Sequence, residues 1–525
     1  MSACKPKDKT ITEKTLTQFE PLRLKSDAGN QIEQLLKVEP RKTENSEAER
    51  ALAAIGLASA SETVKWASKK GDNGNYIFTD VSSETDDGDL TIETLQLNGV
   101  HMKEDIASFD RLSAKGIKLK NSDTEYGTIE RIDLSRPNPT VTSNISKIIT
   151  DTSQVDTIVK SSDLNHRFGA LYLENINLVT PEVNLKAGSV GMGEDKDTQK
   201  AVFLIKDIAA KVTDDSRMSR SQIPPDFNVS LAGASATGID MEATRAMLNA
   251  GLAKSVTRGR NDTTQMLLNA VDFYKETFTT IEFNDFNVNF DTVVFNAPGG
   301  QGLSRTEGDT VIIKQVMEPA TLEIREGSQN PEIIRLEEYL DEMGYDKLVF
   351  QGRKNTRLNK TQDTALDQGL FELKDGFRLS RDIKIGNLKK VTENLKTINE
   401  GGDYLQNNPD AFSDLEVHSV EFSLEDLSLV DRAFKLVAQQ QGTSEKLLRA
   451  QAKAGLLLLG LGAKTQDQGE MISQAAKAAG KFLENGGTLD ISFNPADPLT
   501  IGELSQINPN SFEWDKLGFT AATTP

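Results

Sequence analysis

The pattern of apolar and polar positions changes period once near the start of the chain and then holds for most of its length. From Ser46, the residues Ala51, Leu52, Ile55, Leu57, Ala58, Val64 and Trp66 recur at helical spacing. They predict a helix through about residue 68, stopped by Gly71 and the Asp72-Asn73-Gly74 turn. Beyond it the period becomes two. Tyr76 and Phe78 are followed by Leu90, Ile92, Leu95 and Leu97, with further strands expected at Ile117 to Leu119, Thr128 to Leu134 and Ala170 to Leu178. Alternation of this kind marks half-buried antiparallel strands.

A phrase recurs in these strands: alternation, an Asn, Asp or Gly near the middle, then alternation again. It is read in Leu95 to Val100, Tyr172 to Leu178, Phe283 to Phe290, Phe371 to Leu379 and Phe422 to Leu429. The spacing between copies is irregular, which argues against a fixed-period solenoid and for a long curved sheet whose strands share a bulge. Such residues tolerate the unusual dihedrals a bulge requires.

Three helical stretches interrupt the sheet: Met241 to about Thr277, Pro331 to about Met343 with Gly344 as its stop, and a hairpin. The hairpin runs Ala433 to Gln440, Ser444 to Gly462 and Gln468 to Leu483. A last strand, Thr488 to Phe493, leads to a short helix near Ile501 to Leu504. The expected class is α+β, a long curved, mainly antiparallel sheet with interspersed helices and a C-terminal helical hairpin. Four regions are drawn: a flexible tether over 1–45, polar and carrying Pro6, Pro21 and Pro40 with a short helix at Ile32 to Val38; a helix and β-meander over 46–240; a helix insertion and sheet continuation over 241–417; and strand, hairpin and terminal strand over 418–525.

Composition narrows the chemistry. With 37% apolar residues the 525-residue chain can bury a core, and a net charge of −19 disfavours broad nucleic-acid binding. The longest apolar run, Leu456 to Leu461, is far short of the ~20 residues that span a bilayer and reads as a buried helix. Gly455 to Gly460 lacks the Lys and Ser or Thr of a phosphate loop, and Gly188 to Gly193 reads as a loop without dinucleotide spacing.

His101, His166 and His418 show no metal-ligand spacing, no Gly-x-Ser-x-Gly elbow occurs, and the acidic group Glu84, Asp86, Asp87 and Asp89 fails the calcium-loop pattern. Neither catalytic residue, cofactor nor metal is expected. The single cysteine, Cys4, follows Ser2-Ala3 as in the end of a bacterial lipobox and is the candidate lipid anchor. Leu95, Leu97, Leu173, Phe283, Val288 and Phe371 are the candidate apolar sheet face. Charged strand residues such as Lys118, Lys120, Glu130 and Arg131 are expected to discourage open-ended stacking and to leave a monomer or small oligomer.

Val420 to Arg432, the helical hairpin, Gly486-Gly487-Thr488-Leu489-Asp490-Ile491, Asn494-Pro495 and Asp497 to Ile501 resemble the C-terminal part of poorly characterised proteobacterial envelope proteins of the YdgA-like type, as does Met343 to Leu348. A looser similarity is to AsmA-like proteins. The resemblance covers roughly the last 200 residues and carries no catalytic motif to transfer. It implies a periplasmic or outer-envelope location in a Gram-negative bacterium, and a sheet whose apolar face shelters lipid acyl chains. That group carries an N-terminal membrane segment which the first residues here do not show, so attachment would rest on Cys4. The expectation is a non-enzymatic envelope protein binding lipid or a protein partner, with a scaffold lacking a small ligand as the alternative and a hydrolase third.

Overall fold

The structure is a computed structural model that describes residues 22, 24, 26–85, 88–103, 105–121, 124–150, 167–180, 183–212, 227–241, 274–397, 409–463, 469–506 and 514–525. A single open, curved antiparallel sheet of 20 strands dominates it. Its first strands are β1 (Val64–Lys65), β2 (Ser68–Asp72), β3 (Asn75–Thr85) and β4 (Gly88–Asn98), followed by a separate hairpin of β5 (His101–Lys103) and β6 (Ile106–Ser108). The sheet resumes with β7 (Arg111–Asn121), β8 (Thr124–Ser135), β9 (Ala170–Val179), β10 (Val183–Asp195), β11 (Lys200–Val212) and β12 (Asn228–Asp240). It continues through β13 (Thr280–Phe290), β14 (Val293–Glu307), β15 (Thr310–Ile324), β16 (Leu348–Asn359), β17 (Thr364–Leu373) and β18 (Phe377–Gly386). The last strands are β19 (Glu416–Asp426), β20 (Thr488–Phe493), β21 (Leu499–Thr500) and β22 (Phe519–Thr524).

From β3 to β20 each strand of the sheet pairs with the next in the chain, a meander that crosses residues 240 and 417 without a break. The edges, β1 and β2 on one side and β22 on the other, do not meet among the described residues. Lys118, Lys120, Glu130 and Arg131 lie on β7 and β8, interior strands, so they do not guard an edge.

The described helices are α1 (Ala28–Leu36), α2 (Asn45–Ile55), α3 (Pro139–Thr150), α4 (Pro331–Glu342), α5 (Leu388–Thr397), α6 (Leu429–Gln441), α7 (Glu445–Ala463), α8 (Gly469–Asn485) and α9 (Ile501–Ser505). Several differ from expectation for identifiable reasons. Helix α2 stops at Gly56, whose φ of 86° closes it. Val64 belongs instead to β1, and Trp66 packs edge-on against Phe78 at 5.4 Å.

Part of the expected tether is folded: Ala28, Ile32 and Leu36 of α1 are buried against Ala170, Val202 and Leu204. Gly188 to Gly193 is not a loop but the middle of β10, and its glycines make the room. An added Cβ at Gly191 or Gly193 would fall 2.8 Å from Ile32 Cδ1 or 2.7 Å from Leu35 Cδ1. The leucine run of α7 is helical but not buried. Gly460 packs against Ala476 of α8, which leaves Leu458, Leu459 and Leu461 exposed. Residues 242–273 of the expected helix after Met241 lie outside the described residues, and 274–279 are not helical.

A line of broken pairing crosses the sheet from β3 to β15. Asp80, Gly116, Asn175, Asp207 and Asp285 occupy it on alternate strands, all at φ between 50° and 63°. Their neighbours on the intervening strands are Glu93, Glu130, Gly188, Ala232 and Pro298, each missing from the otherwise continuous registers. The pleat changes phase there on both strands of every pair. Phe78 and Val81 therefore share a face, as do Leu95 and Ile92, or Phe283 and Phe286. The sheet bends along this line and one side of it stays apolar throughout. Only two copies of the recurring phrase supply the line, Asn175 and Asp285, since Asn98-Gly99 and Asp375-Gly376 close turns between strands.

Candidate functional site

Register places the apolar positions of one face in cross-strand rows. One row runs without interruption from Phe78 through Leu95, Ala114, Ile132 and Leu173 to Val190, Ile205, Ala234 and Phe283. It goes on through Gly300, Met317, Gly352, Phe371, Leu379 and Leu424 to Leu489. At ~4.8 Å per strand it extends about 70 Å along the sheet. Of the six apolar candidates, Leu95, Leu173, Phe283 and Phe371 stand in this row. Leu97 stands in a parallel row with Ile281 and Arg381, and Val288 stands across the bend beside Phe295.

The two ends of the face are covered differently. Leu95 and Leu97 are fully buried in a core built with Ala51, Leu52 and Ile55 of α2 and Val141 and Ile149 of α3. At the far edge α8 packs on β20 and β22, with Thr523 Oγ1 donating to the Ala478 carbonyl. Helix α5 closes the lower ends of β15 to β17, where Leu388 joins Val311, Leu358 and Ala365. Between these, no described helix lies across the face. Leu173, Phe283 and Val288 are half-buried and Phe371 is 40% exposed.

The open part holds a cavity of about 460 Å³ lined by Ile281, Phe283, Met317, Phe371 and Leu379 around Gly300, Gly352 and Gly369. Its floor is low because glycines stand where side chains would fill it. A Cβ at Gly300 would come 2.2 Å from Phe283 Cε1, whereas one at Gly352 would meet nothing closer than Leu370 O at 3.6 Å. Beside it runs a ladder of phenylalanines: Phe286 to Phe295, Phe295 to Phe350, Phe350 to Phe371 and Phe371 to Phe377 have ring centroids 6.0, 6.0, 6.4 and 5.9 Å apart. Such contacts hold the rings in place across neighbouring strands.

The cavity also has a polar flank. Gln315, Lys354 and Arg381 line it from the row next to Phe371. Both cations address one carboxylate: Lys354 Nζ is 3.4 Å and Arg381 Nη2 2.9 Å from Asp367, which also accepts a 2.6 Å hydrogen bond from Thr356 Oγ1. Burial opposes ionisation of Asp367, but the Thr356 hydrogen bond and the charges of Lys354 and Arg381 outweigh it and hold the carboxyl below its ordinary range. Gly369 lets the Arg381 side chain cross β17, since a Cβ there would sit 3.0 Å from Arg381 Nε.

The histidines lie elsewhere. His101 is buried with Nδ1 2.7 Å from the Gly99 carbonyl oxygen, His418 lies 3.4 Å from Glu416, and His166 falls outside the described residues, as does Cys4. Among the described residues no three acidic, histidine or cysteine side chains gather at one point. No helix among them is long and apolar enough to cross a membrane.

Lys354, Arg381, Gln315, Phe295 and Phe350 are absent from the sequence expectation, and Phe286 and Phe377 enter it only within the recurring phrase. Their signal was the glycine in mid-strand, at Gly299-Gly300-Gln301-Gly302, Gly352 and Gly369, which marks close approach of backbone to another group.

Residues 370–524, from the end of β17 to β22, match the family model of an uncharacterized protein. No curated protein matches the chain.

Proposed function

We propose that this chain is a non-enzymatic protein of the bacterial envelope that binds lipid, with an alkyl chain lying in the groove over β13 to β18. The observation that carries the reading is the uncovered stretch of the long apolar row, with its glycine floor and phenylalanine wall. A large apolar surface left open to water is costly, and sheets relieve that cost with helices, a partner or a ligand. A cavity of about 460 Å³ falls within the ~300–1,000 Å³ typical of small-molecule sites. The envelope location and attachment through Cys4 rest on the resemblance and on Ser2-Ala3-Cys4.

The test is native mass spectrometry of the full chain purified from its own cells, with lipid extraction of the same sample. Acyl-chain adducts that disappear in Gly352→Leu support the reading. Protein free of lipid in both forms returns it to a scaffold without a small ligand.

A further inference from the structure

We propose that Lys354 and Arg381 form a head-group subsite and that the groove takes a long-chain carboxylate, its carboxylate on the two cations and its alkyl chain along Gly352 and the phenylalanine ladder. This rests on the groove being a lipid site and adds the class of lipid.

Three observations converge. The first is position: Lys354 and Arg381 lie one row from Gly352 and Phe371, so polar head and apolar chain would meet their counterparts about 7 Å apart, two residues along a strand. The second is charge. Two cations share the single carboxylate of Asp367, which leaves one positive charge at the flank of an apolar cavity in a chain whose net charge is −19. A monoanion neutralises that excess, and the guanidinium fork suits the two oxygens of a carboxylate. Gln315, beside Lys354 across the β15–β16 pair, has no side-chain hydrogen bond among the described residues and can add a donor. The third is size. A cavity of about 460 Å³ has room for one alkyl chain with a small head.

Asp367 competes for the same cations that the ligand would use, so its neutralisation should help binding while loss of the cations hurts it. A purely structural role for the triad predicts no gain from either change.

The experiment titrates delipidated full-length protein with oleate, with oleyl alcohol and with phosphatidylglycerol vesicles, using the wild type, Lys354→Gln/Arg381→Gln and Asp367→Asn, each checked for fold by circular dichroism. The proposal expects oleate to bind at least about tenfold more tightly than the alcohol, that preference to vanish in the double variant, and oleate to bind Asp367→Asn more tightly than wild type. Equal binding of oleate and alcohol by the wild type, or a preference that survives the double variant, overturns the head-group subsite and leaves the lipid reading standing. A preference for phosphatidylglycerol that depends on Lys354 and Arg381 overturns the choice of a carboxylate. If none of the three probes binds, both readings fall.

Discussion

Arg381 crosses Gly369 and sets its Nη2 2.9 Å from the Asp367 carboxylate on the neighbouring strand. The carboxyl ionises more readily in the folded chain than at its ordinary value of 3.8. A depressed folded value contributes stability that is fully present above the unfolded value and is lost as pH falls through the folded one. Asp367→Asn is therefore expected to lower the urea midpoint at neutral pH and to flatten the decline below about pH 4. Urea titrations of both proteins between about pH 7 and pH 3 read this directly. Parallel curves would remove Asp367 from the account of acid stability.

Gly300 and Gly352 stand on either side of Met317 in one row and have opposite tolerance. Gly300→Ala pushes a methyl into the Phe283 ring and should cost about 1–3 kcal/mol, the usual range for overpacking. Gly352→Leu meets only ordinary contact at its Cβ and projects into the cavity, so it should change thermal stability little while removing bound lipid. Melting curves paired with lipid extraction separate the two effects. A Gly352→Leu protein that stays fully loaded would show that the lipid sits elsewhere.

Asp285 holds φ of 50° at the bend, a conformation costly for a β-branched residue. Asp285→Val should destabilise by about 1–3 kcal/mol, and Asp285→Gly by much less, because glycine has no Cβ to strain. Chemical denaturation gives the order. Equal losses would mean that the Asp side chain, and not the backbone angle, matters at the bend.

Leu95 and Phe371 stand in the same row under different cover, and their truncation should part accordingly. Leu95→Ala, in a site 1% exposed, is expected to cost about 2–5 kcal/mol. Phe371→Ala, at 40% exposure, should cost markedly less while weakening alkyl-chain binding. Unfolding measurements on the two variants, with oleate titration of the second, test whether burial or ligand contact dominates at each end.

Much of the sheet was legible because period-two alternation survives on either side of the bend wherever one face is dry, as at Leu90 and Ile92 and again at Leu95 and Leu97. The bend was legible at Asn175 and Asp285, where Asn or Asp interrupts an alternating run. At Asp375 the same pattern misled, since a turn needs the same positive φ. Gly188 to Gly193 hid a strand for a different reason. Its glycines answer to Ile32 and Leu35, some 160 residues earlier in the chain, and no local rule sees that far. The polar flank was illegible in the same sense. Lys354, Asp367 and Arg381 are ordinary surface charges in the sequence and become one cluster only through the registers of β16, β17 and β18.

Because each long strand from β4 to β18 pairs only with its neighbours along the chain, the architecture is extensible. Duplicating or deleting one hairpin would shift everything beyond it by about 10 Å and leave the other strand pairings intact. Such changes must come in twos through the bent region, where the left-handed residue recurs on alternate strands. Relatives of this chain can therefore differ in span by whole hairpins while keeping the same terminal caps, and the reach of the open trough becomes a quantity that gene duplication can tune.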